Sequence, residues 1–386
     1  MTDVRDLPQN FEEYQEARKS GFMRVKEYCE NGGHLVGYLC AYTPLEIIEA
    51  GGISAVGLCG TSNETVADAE QVLPQNLCPL IKSTFGFAYS DKCPYTYFAE
   101  MIIGETTCDG KKKMFELLND IKETHVLQLP QSQKRSYAGD IWYEECKLLK
   151  EKLEEKFHVE ITDEKLREAV KMRNKIREVE LELANLQQAV PPVMKSTQAA
   201  MAMQQSTFVF SPSEQLANLR KLVDDAKDNY YNKGERPVSE KAKRILMTGC
   251  PSFGVLNKVS KTIEENGGTI VCPDDCSGER TRAMMIDENA PDILRAISDR
   301  YLQISCSVMS DNDARLTHLE EMVEKYKVEG VVDVVLHACH TFNIEGERVR
   351  RKCAELGIPY MKLVTDYAPS DSGQIATRIS AFIEML

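Results

Sequence analysis

The sequence predicts an α/β fold with two similar doubly wound parallel-sheet domains joined by a helical region. Three observations predict it. Short apolar runs alternate with helical periodicities in both the first and the last third of the chain, the pattern of a parallel sheet with crossover helices. The middle third loses that alternation and carries long, charged amphipathic stretches. A length of 386 residues suffices for two or three domains. The expected boundaries are 1–140, 141–240 and 241–386.

In the first part, residues 9–29 space Phe11, Tyr14, Phe22, Val25 and Tyr28 along one helical face, and Gly32-Gly33 stops the helix. Residues 34–40 read as a buried strand. Residues 44–50 read as a helix with Pro44 in its first turn, closed by Gly51-Gly52. A second strand is expected over 53–59, a polar helix around 63–72, and a short helix over 77–87 with Cys78 at its start. A strand over 101–108, a helix over 111–121 and a strand over 125–129 complete the set.

The middle part predicts helices from 143, over 163–188, and over 212–232, with Pro191-Pro192 as a break. From 244 the α/β rhythm resumes. Strands are expected over 244–250, 269–272, 302–306, 330–339 and 360–364, and helices over 258–266, 315–326, 345–356 and 372–385. Ile48–Cys59 and Ile263–Cys272 share one plan: a helix end, a double glycine, then a strand ending in cysteine. Cys40 parallels Cys250 and Cys108 parallels Cys339, which suggests a duplicated architecture.

The 47 basic and 60 acidic residues give a net charge of −13, which argues against a free-standing nucleic-acid binder or an anchor on anionic lipid. No apolar run is long enough to span a bilayer. The polar, acidic start has no apolar leader segment, so a cytoplasmic location is expected. An odd count of 13 cysteines in such a chain argues against a disulfide framework.

Their placement is informative. Cys40, Cys59, Cys108, Cys250, Cys272, Cys306 and Cys339 fall at the carboxyl ends of expected strands, where open α/β sheets bind ligands. Cys276 follows one, and Cys78 and Cys93 lie in loops or at a helix start. Cys29, Cys146 and Cys353 lie on helices. Neither CxxC spacing nor a ferredoxin-type run occurs. Two readings stay open here: packed thiols, or soft thiolates that converge on an iron–sulfur cluster.

Gly249-Cys-Pro-Ser-Phe-Gly254 has phosphate-loop glycine spacing, but Val255-Leu256 replaces the required Lys-Ser/Thr, and no dinucleotide fingerprint follows a strand. His337 and His340 flank Cys339. Lys111, Lys112 and Lys113 open a helix, where the macrodipole disfavours cations. An anionic group nearby would account for them, as would simple solvation. Lys82 is a weaker candidate of the same kind.

Gly37-Tyr-Leu-Cys40 with Pro44–Gly51, Asn76-Leu-Cys-Pro-Leu-Ile-Lys-Ser83, Thr106-Thr-Cys-Asp-Gly-Lys-Lys-Lys113, Asp274-Asp-Cys-Ser-Gly278, Ala338-Cys-His340 and Thr365-Asp-Tyr367 with Gly373-Gln374 resemble the 2-hydroxyacyl-CoA dehydratase and benzoyl-CoA reductase subunit family, over nearly the whole chain. Cys59 in Gly-Leu-Cys-Gly and Cys93 in Asp-Lys-Cys-Pro-Tyr resemble its double-cubane cluster branch. The resemblance implies an [8Fe–9S] double cubane in the interdomain cleft. It also implies an ATP-hydrolysing [4Fe–4S] reductase partner, a small-molecule substrate and a homodimer.

Carried over residue by residue, Cys40, Cys78, Cys108 and Cys339 are implied ligands, followed by Cys93 and Cys306, then Cys59 and Cys276. Cys250 and Cys272 rank below these. The implied activity is low-potential reduction, with His340, Glu46 and Lys111 as proton-donor candidates. Two alternatives remain: a 2-hydroxyacyl-CoA dehydratase subunit with one [4Fe–4S] cluster, or a non-catalytic electron-transfer or scaffold subunit.

Overall fold

The computed structural model describes residues 4–386, which form two compact units. The first holds residues 4–171 and Ile286–Gln303, and the second holds Met172–Met285 and Ile304–Leu386. The helical residues 141–240 are shared between them.

In the first unit, β1 (Leu35–Tyr38), β2 (Ser54–Gly57), β3 (Met101–Glu105) and β4 (Thr124–Leu127) form a parallel sheet of order β2-β1-β3-β4. All five β3 residues are buried, as expected of a central strand covered on both faces. The Leu45–Ala50 helix connects β1 to β2, and the turn into β2 passes through Gly52 at φ +71°. The Asp109–Asn119 helix connects β3 to β4. In the Ala138–Phe157 helix, Trp142, Cys146, Leu149 and Leu153 are buried at alternating spacings of four and three, a single apolar stripe.

Lys122, just before β4, donates to the Tyr97 carbonyl (3.0 Å), and burial lowers its pKa from 10.5 to about 8. Below pH 8 it is charged both folded and unfolded, so the burial penalty is fully present. Between pH 8 and 10.5 the folded state sheds the proton first, and stability rises with pH. Lys122→Met is therefore expected to stabilise the protein by about 1–2 kcal/mol at pH 7, and the gain should vanish by about pH 10.5. Urea titrations across that range measure it.

In the second unit, β5 (Lys243–Gly249), β6 (Gly268–Asp274), β7 (Gly330–Leu336) and β8 (Tyr360–Thr365) are parallel in the order β6-β5-β7-β8. This repeats the first sheet's order, so the two α/β halves share one topology, as the sequence predicts. Every residue of β7 is buried, Asp333 included, and the Tyr360 hydroxyl donates to Asp333 Oδ2 (2.7 Å). Ile176, Val179, Leu183, Met203, Leu219 and Val223 pack the helical part of this unit. The Arg244 guanidinium ties β5 to that layer, donating to the carbonyls of Gln187 (2.8 Å), Ala189 (3.0 Å) and Tyr326 (2.8 Å).

Gly249 ends β5 at φ +111°, and a Cβ there would lie 2.1 Å from the Val334 carbonyl oxygen. Gly249→Ala combines a forbidden backbone with a backbone clash. It is expected to cost about 3 kcal/mol or more, read as a lower urea midpoint at unchanged slope.

Several elements differ from expectation, among them the unassigned Pro94–Phe98 helix. Leu302–Cys306 is not a strand: the Ile293–Leu302 helix runs through Leu302, capped by Asp292 Oδ1 accepting from the Arg295 amide (2.8 Å). It buries Ile293, Leu294, Ile297 and Tyr301 at helical spacing. Cys272 lies inside β6 and not at its end, because that strand continues to Asp274. The Met/Gln/Ala/Ser stretch after Pro191-Pro192, unassigned from sequence, contains the Ser196–Ser206 helix.

Candidate functional site

In each sheet the strand order reverses beside the first strand of that unit, between β1 and β3 and between β5 and β7. Crossovers on the two sides of such a point leave a crevice at the carboxyl ends. Cys40 follows β1 by two residues and Cys108 follows β3 by three. Cys250 and Cys339 hold the corresponding places after β5 and β7. Cys59 and Cys276 each follow the neighbouring edge strand by two residues.

Exposure sorts the thirteen thiols. Cys40, Cys93, Cys108, Cys276, Cys306 and Cys339 are partly exposed, Cys59 is exposed and Cys78 is buried; no thiol is in a disulfide. Cys29, Cys146, Cys250, Cys272 and Cys353 are all buried. Burial pushes the Cys29 thiol up to about 11 and Cys353 up to about 12, and it raises Cys146 and Cys272 as well. Such thiols are poor thiolates. Cys250 accepts the Leu336 amide at 3.3 Å and serves the strand junction.

Four of the accessible or candidate thiols share a local design. Cys78, Cys93, Cys108 and Cys339 are the residues immediately before the helices Pro79–Tyr89, Pro94–Phe98, Asp109–Asn119 and His340–Leu356. Pro79 and Pro94 supply a fixed φ and lack the amide donor that a first turn cannot use. The longer of these helices present unpaired amides and a positive dipole end toward the cysteine, which favours thiolate.

In the first unit Lys111 is buried, and its ammonium donates to the Leu39 carbonyl. Burial opposes its charge. The Cys40, Cys59 and Cys108 thiols and the Glu105 carboxyl outweigh burial and hold its pKa above the usual lysine range. Burial raises Glu105, the last residue of β3, to about 7 against the pull of Lys111 and the Thr43 hydroxyl that donates to it. Among the described residues nothing pairs with Glu105 Oε2. The three-lysine run therefore splits. Lys111 turns inward to the thiols, while Lys112 pairs with Asp109 (2.8 Å) and Lys113 with Glu116 (2.5 Å) at the surface. Lys82 is committed elsewhere, to Glu70 (2.7 Å) and the Gln75 carbonyl (2.8 Å).

In the second unit the buried cation near the thiols of Cys306 and Cys276 is Arg280. Burial again opposes the charge, and Asp274 (Nε to Oδ1, 3.7 Å) with the two thiols overcomes it. The Cys276 loop is fixed by Asp275, whose carboxylate accepts from the Ser252 amide (2.9 Å) and the Ser277 amide (2.7 Å). The Cys306 loop is fixed by Asn312, which donates to the Cys306 carbonyl (2.9 Å) and to Glu345 Oε1 (2.7 Å). Arg315 closes the frame with Glu345, with Thr248 Oγ1 (2.7 Å) and, at 3.6 Å, with Asp274. Ala338, before Cys339, holds φ +57°.

The three proton-donor candidates have different surroundings. Lys111 faces thiols. Glu46 is fully buried in the Leu45–Ala50 helix and accepts from the Tyr301 hydroxyl (2.8 Å). His340 opens its helix exposed to solvent. Sequence reasoning missed Glu105 and Arg280. The only signal available was a pair of charges next to strand-end cysteines, and burial turns such charges from solvated to consequential.

Among the described residues no three His, Cys, Asp or Glu side chains converge as ligands of a single metal ion. A lone ion needs donors about 2.3 Å from one point, whereas a cluster takes each thiolate on a separate iron. A soft donor set at strand ends, with a buried cation beside it in each unit, fits the second case in its chemistry. No described helix is long and apolar enough to cross a membrane.

The chain is 43% identical over 387 residues, covering all of both chains, to YjiM of Escherichia coli K12, provisionally assigned as a dehydratase subunit. It is 25% identical to the (R)-phenyllactyl-CoA dehydratase beta subunit of Clostridium sporogenes, over all of this chain and 98% of that one. It is 22% identical to the beta subunit of (R)-2-hydroxyglutaryl-CoA dehydratase of Acidaminococcus fermentans, over 97% and 98% of the two chains. The profile of the 2-hydroxyglutaryl-CoA dehydratase D-component family matches residues 40–386, from the first strand-end cysteine to the last residue, and the chain belongs to that family.

Proposed function

We propose that the chain is an iron–sulfur enzyme subunit that reduces a small substrate at low potential, with electrons from an ATP-hydrolysing [4Fe–4S] reductase. The observation that carries this reading is the sorting of the thiols. The five cysteines outside the implied ligand set are all buried, and seven of the eight inside it reach the surface, five of them just past strand ends and Cys93 and Cys306 in loops. Six of the eight candidates Cys40, Cys59, Cys78, Cys93, Cys108, Cys276, Cys306 and Cys339 would hold the cluster, three to each cubane. Eight thiols exceed the demand of one cubane, which favours the [8Fe–9S] form. Such a cluster, when bound, supplies electrons singly at a potential set by charge and hydrogen bonding to sulfur.

The protein's own groups have separable tasks. The Lys111 ammonium, pinned by the Leu39 carbonyl, offsets negative charge on Cys40, Cys59 and Cys108. Glu105 Oε2 can carry a proton near neutral pH within the same buried group. The amides that open the Pro79–Tyr89, Asp109–Asn119 and His340–Leu356 helices are donors for sulfur. Without a phosphate loop for ATP, the energy of hydrolysis belongs to the partner.

A second reading, a 2-hydroxyacyl-CoA dehydratase subunit with one [4Fe–4S] cluster, is supported by the relatives named as dehydratase beta subunits. Iron and acid-labile sulfide on anaerobically isolated protein separate the two. About eight irons per chain supports the double cubane, about four supports the dehydratase, and none overturns both. Turnover with the reductase on small unsaturated molecules against 2-hydroxyacyl-CoA esters then tests the substrate class.

A further inference from the structure

Arginines in the second unit allow an internal comparison. Arg244 donates to three carbonyls, and Arg315 donates to Glu345 and Thr248. Arg280 is as deeply buried, 4% exposed, yet none of its three nitrogens has a hydrogen-bond acceptor among the described residues. Asp274 at 3.7 Å balances charge but lies beyond hydrogen-bond range. The Phe342 ring, 6.0 Å from the guanidinium carbon, offers no acceptor lone pair. A buried guanidinium with five unmet N–H groups is costly, so an acceptor is expected there. The neighbours that remain are Asp275, whose two carboxylate oxygens already accept from Ser252 and Ser277, and the thiols of Cys276 and Cys306.

We propose that Arg280 is a positioning and potential-setting residue, whose guanidinium donates N–H groups to sulfur of the cluster bound by Cys276 and Cys306. This inference rests on the proposed function. The loop geometry suits it. Arg280 follows Cys276 by four residues in the short Glu279–Thr281 helical turn, and the Thr281 hydroxyl donates to the Cys276 carbonyl (3.2 Å), which ties that turn to the Cys276 loop. The fixed positive charge and the N–H donors both stabilise the more negative, reduced cluster, and raise its potential.

The test compares anaerobic wild-type protein with Arg280→Gln and Arg280→Lys. Iron content, the electron paramagnetic resonance spectrum of the reduced state and the midpoint potential are measured on each. Arg280→Gln is expected to shift the oxidised-to-reduced ratio at fixed potential at least tenfold toward oxidised, which is 59 mV lower for a one-electron couple. Arg280→Lys, which keeps the charge but not the planar fork, should fall between. Should Arg280→Gln fail to assemble, Arg280→Lys carries the comparison. An iron-replete variant with wild-type potential and spectrum overturns the role of Arg280 and leaves the functional reading standing. Wild-type protein without iron overturns that reading instead.

Discussion

Cys108→Ala and Cys339→Ala proteins, isolated anaerobically, are expected to lose most of the iron of the parent chain. Each substitution removes a thiolate donor from a strand-end turn beside a helix start, and no second soft donor is built into that turn. Loss of one ligand leaves an iron coordinated only by its cluster sulfides, and such clusters are released or degrade. The comparison proteins are Cys146→Ala and Cys353→Ala. Their thiols are buried on helices, so these changes should cost stability through small cavities while iron content holds. Iron analysis with a parallel thermal melt reads both quantities. Full iron in both Cys108→Ala and Cys339→Ala would overturn the ligand assignment.

Arg315→Met is expected to be the most damaging change away from the thiols, by about 3–5 kcal/mol. Arg315 is 2% exposed and meets Glu345, Thr248 and Asp274. Methionine fills much of the volume but leaves two buried carboxylates short of a cation. For a unit of this size the melting temperature should fall by roughly 10 °C. Arg315→Met combined with Glu345→Gln should recover part of the loss, because the second change removes one stranded charge. If the single substitution is neutral, the network contributes nothing to stability.

The sheets were legible because their punctuation is local. Gly51-Gly52 and Gly267-Gly268 stop helices just before strands, and runs such as Val331–Leu336 have no reading but a buried strand. The repeated cysteine and glycine plan anticipated the shared strand order. Legibility failed where long-range packing decides. Leu302–Cys306 alternates apolar and polar residues as a strand would, yet helical register with Ile293 and Ile297 claims Leu302. Ser196–Ser206 has weak polar periodicity and becomes a helix against the packed layer around Met203. The strand-end cysteines could be picked out by position, but Cys250 and Cys272 share that region and are buried. Glu105, Arg280 and Asp274 had no pattern to announce them, since a buried charge is recognisable only by what surrounds it.

β7 has a consequence outside the folded state. Apart from Gly330 and Asp333 its seven residues are four valines and Leu336, a composition prone to cross-strand self-association when exposed. Asp333 interrupts that run. Once folded, it is buried and its carboxyl is raised by burial, with the Tyr360 hydroxyl as compensation. In an unfolded or nascent chain it is a solvated negative charge in the middle of an apolar, valine-rich segment. Asp333 thus acts as a gatekeeper during synthesis and refolding, and neutralising it would trade a better-tolerated interior for a concentration-dependent loss of soluble protein.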